Sequence, residues 1–116
     1  MKTFHNEEIY IKTDNFSDSI FKENTMFFDI ETTGFSPVKA IVYMIGCARR
    51  IKNRIVIDQY FAESPDDEAA VIEAFAGSLS GCSTIISFNG VGFDIPFLKN
   101  KYKKYKQDRK STRLNS

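Results

Sequence analysis

Three strand-like segments follow one another with almost no chain between them: TMFFDIETT (25–33), AIVYMIGCARR (40–50) and RIVIDQYFA (54–62). Their β-branched and aromatic residues suit a pleated surface, and GFSP and KN punctuate them as turns. Parallel neighbours need a crossover of a dozen residues or more, so a link as short as Lys52-Asn53 permits only an antiparallel hairpin. The chain therefore opens its core with an antiparallel meander. SPDDEAAVIEAFAGSLSG then carries helix signals. Ser64 can cap, Pro65 suits the first helical position, and Asp67 completes an S-x-x-D box. Ile72, Phe75, Ala76 and Leu79 form an apolar stripe, and Gly81 supplies the stop. TIISFN (84–89) reads as a buried strand, and FDIPFLKNKYKKY as a helix opening at or near Asp94. The order β-β-β-α-β-α predicts an α/β fold. A crossover helix over 65–80 would return a fourth strand parallel to the first. Upstream, EEIYIKT is a candidate short strand and DNFSDSIFKEN a turn or short helix.

The first strand ends in an unusual way. Asp29 and Glu31 are two apart in FFDIETTGF, and strand side chains two apart point to the same face. Like charges side by side repel, more strongly where water is thin, and a divalent cation is the usual compensation. The last strand runs into FNGVGFDIPFL, where Asn89, Gly90 and Gly92 predict a tight turn and Asp94 sits at a helix start. An acid there can simply cap the helix, for about 1 kcal/mol. A lone D-x-E is likewise more often a solvated face than a metal site. If the strand at 84–89 pairs parallel with 25–33, however, both motifs leave the sheet at one carboxyl edge, where open α/β sheets place ligands. Asp29, Glu31 and Asp94 would then converge, and three carboxylates with Mg²⁺ make a hard oxygen site.

Composition narrows the classes. At 116 residues the chain is one domain at most, and no apolar run is long enough to cross a membrane. The first twenty residues, with Glu7, Glu8, Asp14 and Asp18, do not resemble a signal peptide. Cys47 and Cys82 lie far apart with no CxxC and one histidine, so they read as small buried thiols of a reducing cytoplasm. Residues 1–98 hold 8 Lys/Arg against 14 Asp/Glu, whereas residues 99–116 hold 8 Lys/Arg against Asp108 alone. A basic tail of that kind suggests nucleic acid. Lys99, Lys101, Lys103, Lys104 and Lys106 can track phosphates, and a solvated helix face explains them equally well.

D-I-E-T-T-G at 29–34 resembles the first motif of the DEDD 3′–5′ exonucleases of the ribonuclease-H-like superfamily, and N-x-x-x-F-D at 89–94 is similar to their second. The surrounding FFDIETTGFSP, VYMIG, DQYFAESPDDEAAVIEAF and FNGVGFDIPFLK most closely resemble the bacterial YprB-type ribonuclease-H-like family of predicted nucleases. The resemblance covers about Thr25 to Lys104. It implies a mixed sheet with helices and four acids holding two Mg²⁺ or Mn²⁺ ions. By resemblance, Asp29 bridges both ions, Glu31 binds the ion on the nucleophile side, and Asp94 binds the other. The substrate-binding positions it implies are Thr32, Thr33, Gly34, Asn89 and Phe93. For Phe93 the plainer alternative is core, the commoner role of an aromatic beside a helix start. The implied partner is DNA or RNA, with no membrane, in the cytoplasm.

The family pattern also calls for a later Tyr-x-x-x-Asp or His-x-x-x-x-Asp. Tyr102 and Tyr105 are followed by Lys106 and Arg109 instead, and His5 by Tyr10. DRKSTRLNS (108–116) has no apolar pattern and resembles the translation of a sequencing-library adapter, so native sequence is expected to stop near Gln107. The expected organisation is a lead-in over 1–24, the N-terminal part of a ribonuclease-H-like domain over 25–107, and a non-native end. Two other readings compete with a metal-dependent nuclease. One is a nucleic-acid-binding module of the same fold without turnover. The other is a haloacid-dehalogenase-type phosphatase, which FDIETT and IISFN imitate loosely, but its second aspartate is here Glu31, one methylene too long.

Overall fold

The computed structural model describes residues 1–10, 19–87 and 93–115, with side chains through Lys106. The meander is present: β2 (Thr25–Thr32), β3 (Val42–Ile51) and β4 (Arg54–Phe61) pair antiparallel in sequence. Ile51 pairs with Arg54 across the two-residue Lys52-Asn53 link, where Lys52 takes a positive φ of 55°. β5 (Thr84–Ser87) pairs parallel with β2, from Thr25↔Thr84 to Phe28↔Ser87. The N-terminal segment also joins the sheet. β1 (Lys2–Ile9) lies antiparallel along β4, which gives the order β1-β4-β3-β2-β5. The lead-in therefore contributes an edge strand, starting earlier than EEIYIKT suggested. Of the expected turn or short helix at 14–24, residues 14–18 lie outside the described residues, and the remainder ends in a turn at Glu23-Asn24, where Asn24 takes a positive φ of 65° and the Thr25 amide donates to the Lys22 carbonyl.

α1 (Glu68–Ser78) and α2 (Asp94–Asn115) cover one face of the sheet. Alternation in β2 sends Met26, Phe28 and Ile30 to that face, all nearly fully buried, with Val42, Ile45 and Cys47 of β3 beside them. Val71, Ile72 and Phe75 of α1 and Phe97 and Leu98 of α2 close the core from the other side, with Phe28 and Phe75 rings 5.2 Å apart. The alternate residues Phe27, Met44 and Ile57 face away from the helices, and Ile57 is exposed.

Three sequence expectations are corrected. The helix at 65–80 begins as a 3₁₀ turn over Pro65–Asp67, and Ser64 makes no side-chain cap bond. The S-x-x-D box does not form in its expected register: Asp67 reaches back to accept from the Glu63 amide, one residue before the cap, at 3.0 Å. The strand at 84–89 is not buried, because β5 is the sheet edge with Thr84 and Ile85 exposed; Phe88 and Asn89 lie outside the described residues. Lys101 does not belong with the solvated lysines, since it is fully buried while Lys99, Lys103, Lys104 and Lys106 are exposed. Position explains the last: residues 94, 97, 98, 101 and 105 share the helix face turned to the sheet.

Candidate active site

The acids of β2 arise directly from strand alternation. With Met26, Phe28 and Ile30 committed to the core, Asp29 and Glu31 must emerge on the opposite face. Asp29 is half-buried and Glu31 exposed. Asp29 pairs with Gly46 on β3 and lines an open depression of about 510 Å³ with Phe27, Met44 and Gln59. The pairing of β2 with β3 shifts register between Glu31 and Thr32, where Tyr43 is the extra residue on β3, so β3 bulges beside the end of the acidic segment.

Asp94 comes from the other side. It opens α2, is fully buried, and accepts a hydrogen bond from Ser87 Oγ at Oδ2, 2.7 Å. Its Oδ1 is buried with no hydrogen-bond partner among the described residues. Ser87 is the last residue of β5 and pairs with Phe28, so Asp94 is held one strand position short of Asp29 on the helix side. The two motifs do leave the sheet at the same end, as the parallel pairing predicts. They approach it from opposite faces. That geometry has a consequence: no three acidic, histidine or cysteine side chains among the described residues are grouped closely enough to hold a metal ion.

The turn after Glu31 is internally braced. Thr32 Oγ1 donates to the Gly34 carbonyl at 2.7 Å, the Ile41 amide donates to Thr33 Oγ1 at 2.8 Å, and the Thr33 amide donates to the Ile41 carbonyl at 3.0 Å. A Cβ on Gly34 would meet only Ala40 Cβ, at 3.6 Å, an ordinary contact. The fold itself thus places no steric demand for glycine there. Phe93 is half-buried against the core and packs on Phe97, ring centroids 5.4 Å apart, and its ring also meets Phe35 edge-on at 6.2 Å. Phe35 is 91% exposed. Sequence reasoning passed over it, although an aromatic directly after T-T-G in a loop was a usable signal. Asn89 lies outside the described residues.

The donor set suits a hard cation, because it consists of carboxylate oxygens and one of them, Asp94 Oδ1, is buried and unsatisfied. The Cys47 thiol does not compete for this role. Cys47 and Cys82 are free, and burial pushes the Cys47 thiol above its ordinary range, away from the thiolate that binds metal. No helix among the described residues is long and apolar enough to cross a membrane.

A family model described as the RNase H superfamily matches residues 26–115. The chain is also 29% identical over 82 residues to the uncharacterized protein YprB of Bacillus subtilis, covering 70% of this chain. It spans about a fifth of the length of that relative. No solved structure matches it.

Proposed function

This chain belongs to the RNase H superfamily, and on that premise we propose that it carries metal-binding acids of a divalent-metal-dependent nuclease that shortens DNA or RNA from the 3′ end. One observation carries the reading above others: Asp94 is buried at the end of the sheet that also bears Asp29 and Glu31, with an oxygen left unsatisfied. An unpaired buried polar atom costs about 1–3 kcal/mol, which a fold tolerates where a ligand can satisfy it.

In this account Asp29 and Glu31 hold a cation from the open face and Asp94 takes part from the helix side. The bound ions would activate a water and stabilise the leaving oxygen of the phosphodiester. The chain's own residues do the rest. Ser87 fixes the Asp94 carboxylate so that Oδ1 stays turned to its place. Thr32 and Thr33 brace the turn that brings Gly34 near the acids, and the lack of a side chain at Gly34 leaves room for a sugar-phosphate. Phe35 and Phe93 offer an aromatic edge on which a terminal base can stack, worth about 1–3 kcal/mol per base. The acidic body of residues 1–98 makes cations doubly necessary, since a polyanionic substrate must otherwise approach like charge. Exposed Lys99, Lys103, Lys104 and Lys106 on α2 are the candidate phosphate contacts.

A second reading, binding of nucleic acid without turnover, is favoured by the absence of a closed three-acid group among the described residues. One experiment separates the two. Single-stranded DNA and RNA labelled at the 5′ end are incubated with Mn²⁺ and a chain extended through the third motif that the family pattern requires. We expect a ladder of products shortened from the 3′ end, abolished by EDTA and by Asp29→Ala. Retention of the oligonucleotide without shortening would establish the binding module instead.

A further inference from the structure

Glu68 and Lys101 are both fully buried, and their side chains form an ion pair at 3.2 Å. Charges so placed are expensive to desolvate, and an apolar pair would serve packing as well or better. What sets this pair apart is where its remaining bonds go. Lys101 Nζ donates to the Ala40 carbonyl at 2.7 Å. Glu68 Oε2 accepts from the Val42 amide at 2.6 Å, and Oε1 accepts from the Tyr105 hydroxyl. Five groups from α1, α2 and the chain that enters β3 are thus joined in one network. Its backbone contacts fall at 40 and 42, on either side of Ile41. That residue exchanges hydrogen bonds with Thr33, and Val42 pairs with Thr32.

Lys101 also lies seven residues, two helical turns, beyond Asp94, so both project from the same face of α2. The network therefore joins the helix that carries Asp94 to the strand end that carries Glu31, from within the core and without touching either acid. We propose that Glu68, Lys101 and Tyr105 are positioning residues that set the distance between the two halves of the acidic site. The proposal rests on the metal-site reading of Asp29, Glu31 and Asp94 for its purpose, while its mechanical content stands separately.

The test uses the full chain in four forms: wild type, Lys101→Met, Glu68→Leu and the double variant. Each single change strands a buried charge and should unfold part of the population. The double variant removes both charges and should recover a thermal midpoint between those of the single variants and wild type, because the Val42 amide, Ala40 carbonyl and Tyr105 hydroxyl still lose their partners. Amide hydrogen exchange then reads the site alone. If the network positions it, the double variant exchanges at least tenfold faster at Thr33, Ile41 and Phe97, whose amides bond across the turn and at the first turn of α2. Exchange in β4, and in β3 beyond Val42, whose own amide loses Glu68, stays unchanged. Equal protection at these amides in wild type and double variant would overturn the proposal. Mn²⁺ titration of the same proteins reads the purpose: an at least tenfold weaker affinity in the double variant supports it, and equal affinity refutes it. Should wild type bind no Mn²⁺, the metal-site reading and the positioning purpose fall together, and the exchange result still decides whether the network braces the turn.

Discussion

Removing the Asp94 carboxylate separates a structural cap from a metal ligand by the size of the metal-free loss and by the response to Mn²⁺. In Asp94→Ala the chain loses the Ser87 hydrogen bond, about 1.5–3 kcal/mol for a charged acceptor. It also loses the favourable charge at the start of α2, about 0.3–1 kcal/mol. Against this, the buried and unpartnered Oδ1 disappears, returning about 1–3 kcal/mol. The central values sum to a loss of about 1 kcal/mol without metal, and the extremes to no more than about 3 kcal/mol, small for a fully buried residue. With Mn²⁺ at a hundred times its dissociation constant, wild type gains about 2.7 kcal/mol. For a domain of this size that is about 10–20 °C in Tm. The variant should gain almost nothing. Thermal unfolding followed by circular dichroism, with and without Mn²⁺, measures both quantities. A loss above about 4 kcal/mol in metal-free buffer would show that Asp94 is chiefly a cap. An equal Mn²⁺ shift in both proteins would show that it is no ligand.

Other outcomes follow from particular contacts. His5 bonds to Asp58 and Glu7, and these carboxylates, Asp58 first, hold its imidazolium above the ordinary histidine range. Asp58 is in turn paired with Arg49 at 3.1 Å and Glu7 with Arg54 at 2.9 Å. Because the folded value is raised, the stability it contributes is complete below about pH 6.5 and is lost as pH rises through that raised value. Amide protection in β1 should therefore fall on going from pH 6 to pH 9, and His5→Gln should flatten the dependence; a flat wild-type profile would contradict it. Gly34→Ala should leave the unfolding free energy within about 1 kcal/mol of wild type, since only Ala40 Cβ is approached, and should weaken binding of a 3′-terminal oligonucleotide measured by fluorescence anisotropy. Phe35→Ala should likewise spare the fold, being 91% exposed, and cost about 1–3 kcal/mol of single-strand affinity. An unchanged affinity would remove Phe35 from the site.

Much of the sheet was legible because its constraints are local. Short links force antiparallel neighbours, and a helix between strands returns the chain parallel, so β2 to β5 could be placed from spacing and residue type. β1 was harder: Lys2–Ile9 alternates weakly and is exposed along its whole length, so pairing with β4, rather than burial, defines it. The acids were visible as residues, and their arrival at one sheet end followed from the parallel pairing. Their opposite faces did not follow, because this depends on Ser87 aligning with Phe28 and on Asp94 turning toward it. Lys101 misled for a general reason. A lysine amid KNKYKKY looks solvated, and only the partner sixty-one residues away, Ala40, and the buried Glu68 reveal otherwise. The positions at 94, 97, 98, 101 and 105 already marked one helix face, which was the available signal.

The central claim is that Asp29, Glu31 and Asp94 share a cation although they reach the sheet end from opposite faces. Paramagnetic broadening by substoichiometric Mn²⁺ in an amide NMR spectrum tests it most directly. The account predicts that the signals of Asp29 to Gly34 and those of the first turn of α2 broaden together, while those of β1, at the far edge, stay sharp, and that Asp29→Ala and Asp94→Ala each abolish both effects. Broadening centred on Glu63, Asp66 and Asp67, or broadening of β2 that persists in Asp94→Ala, would contradict it.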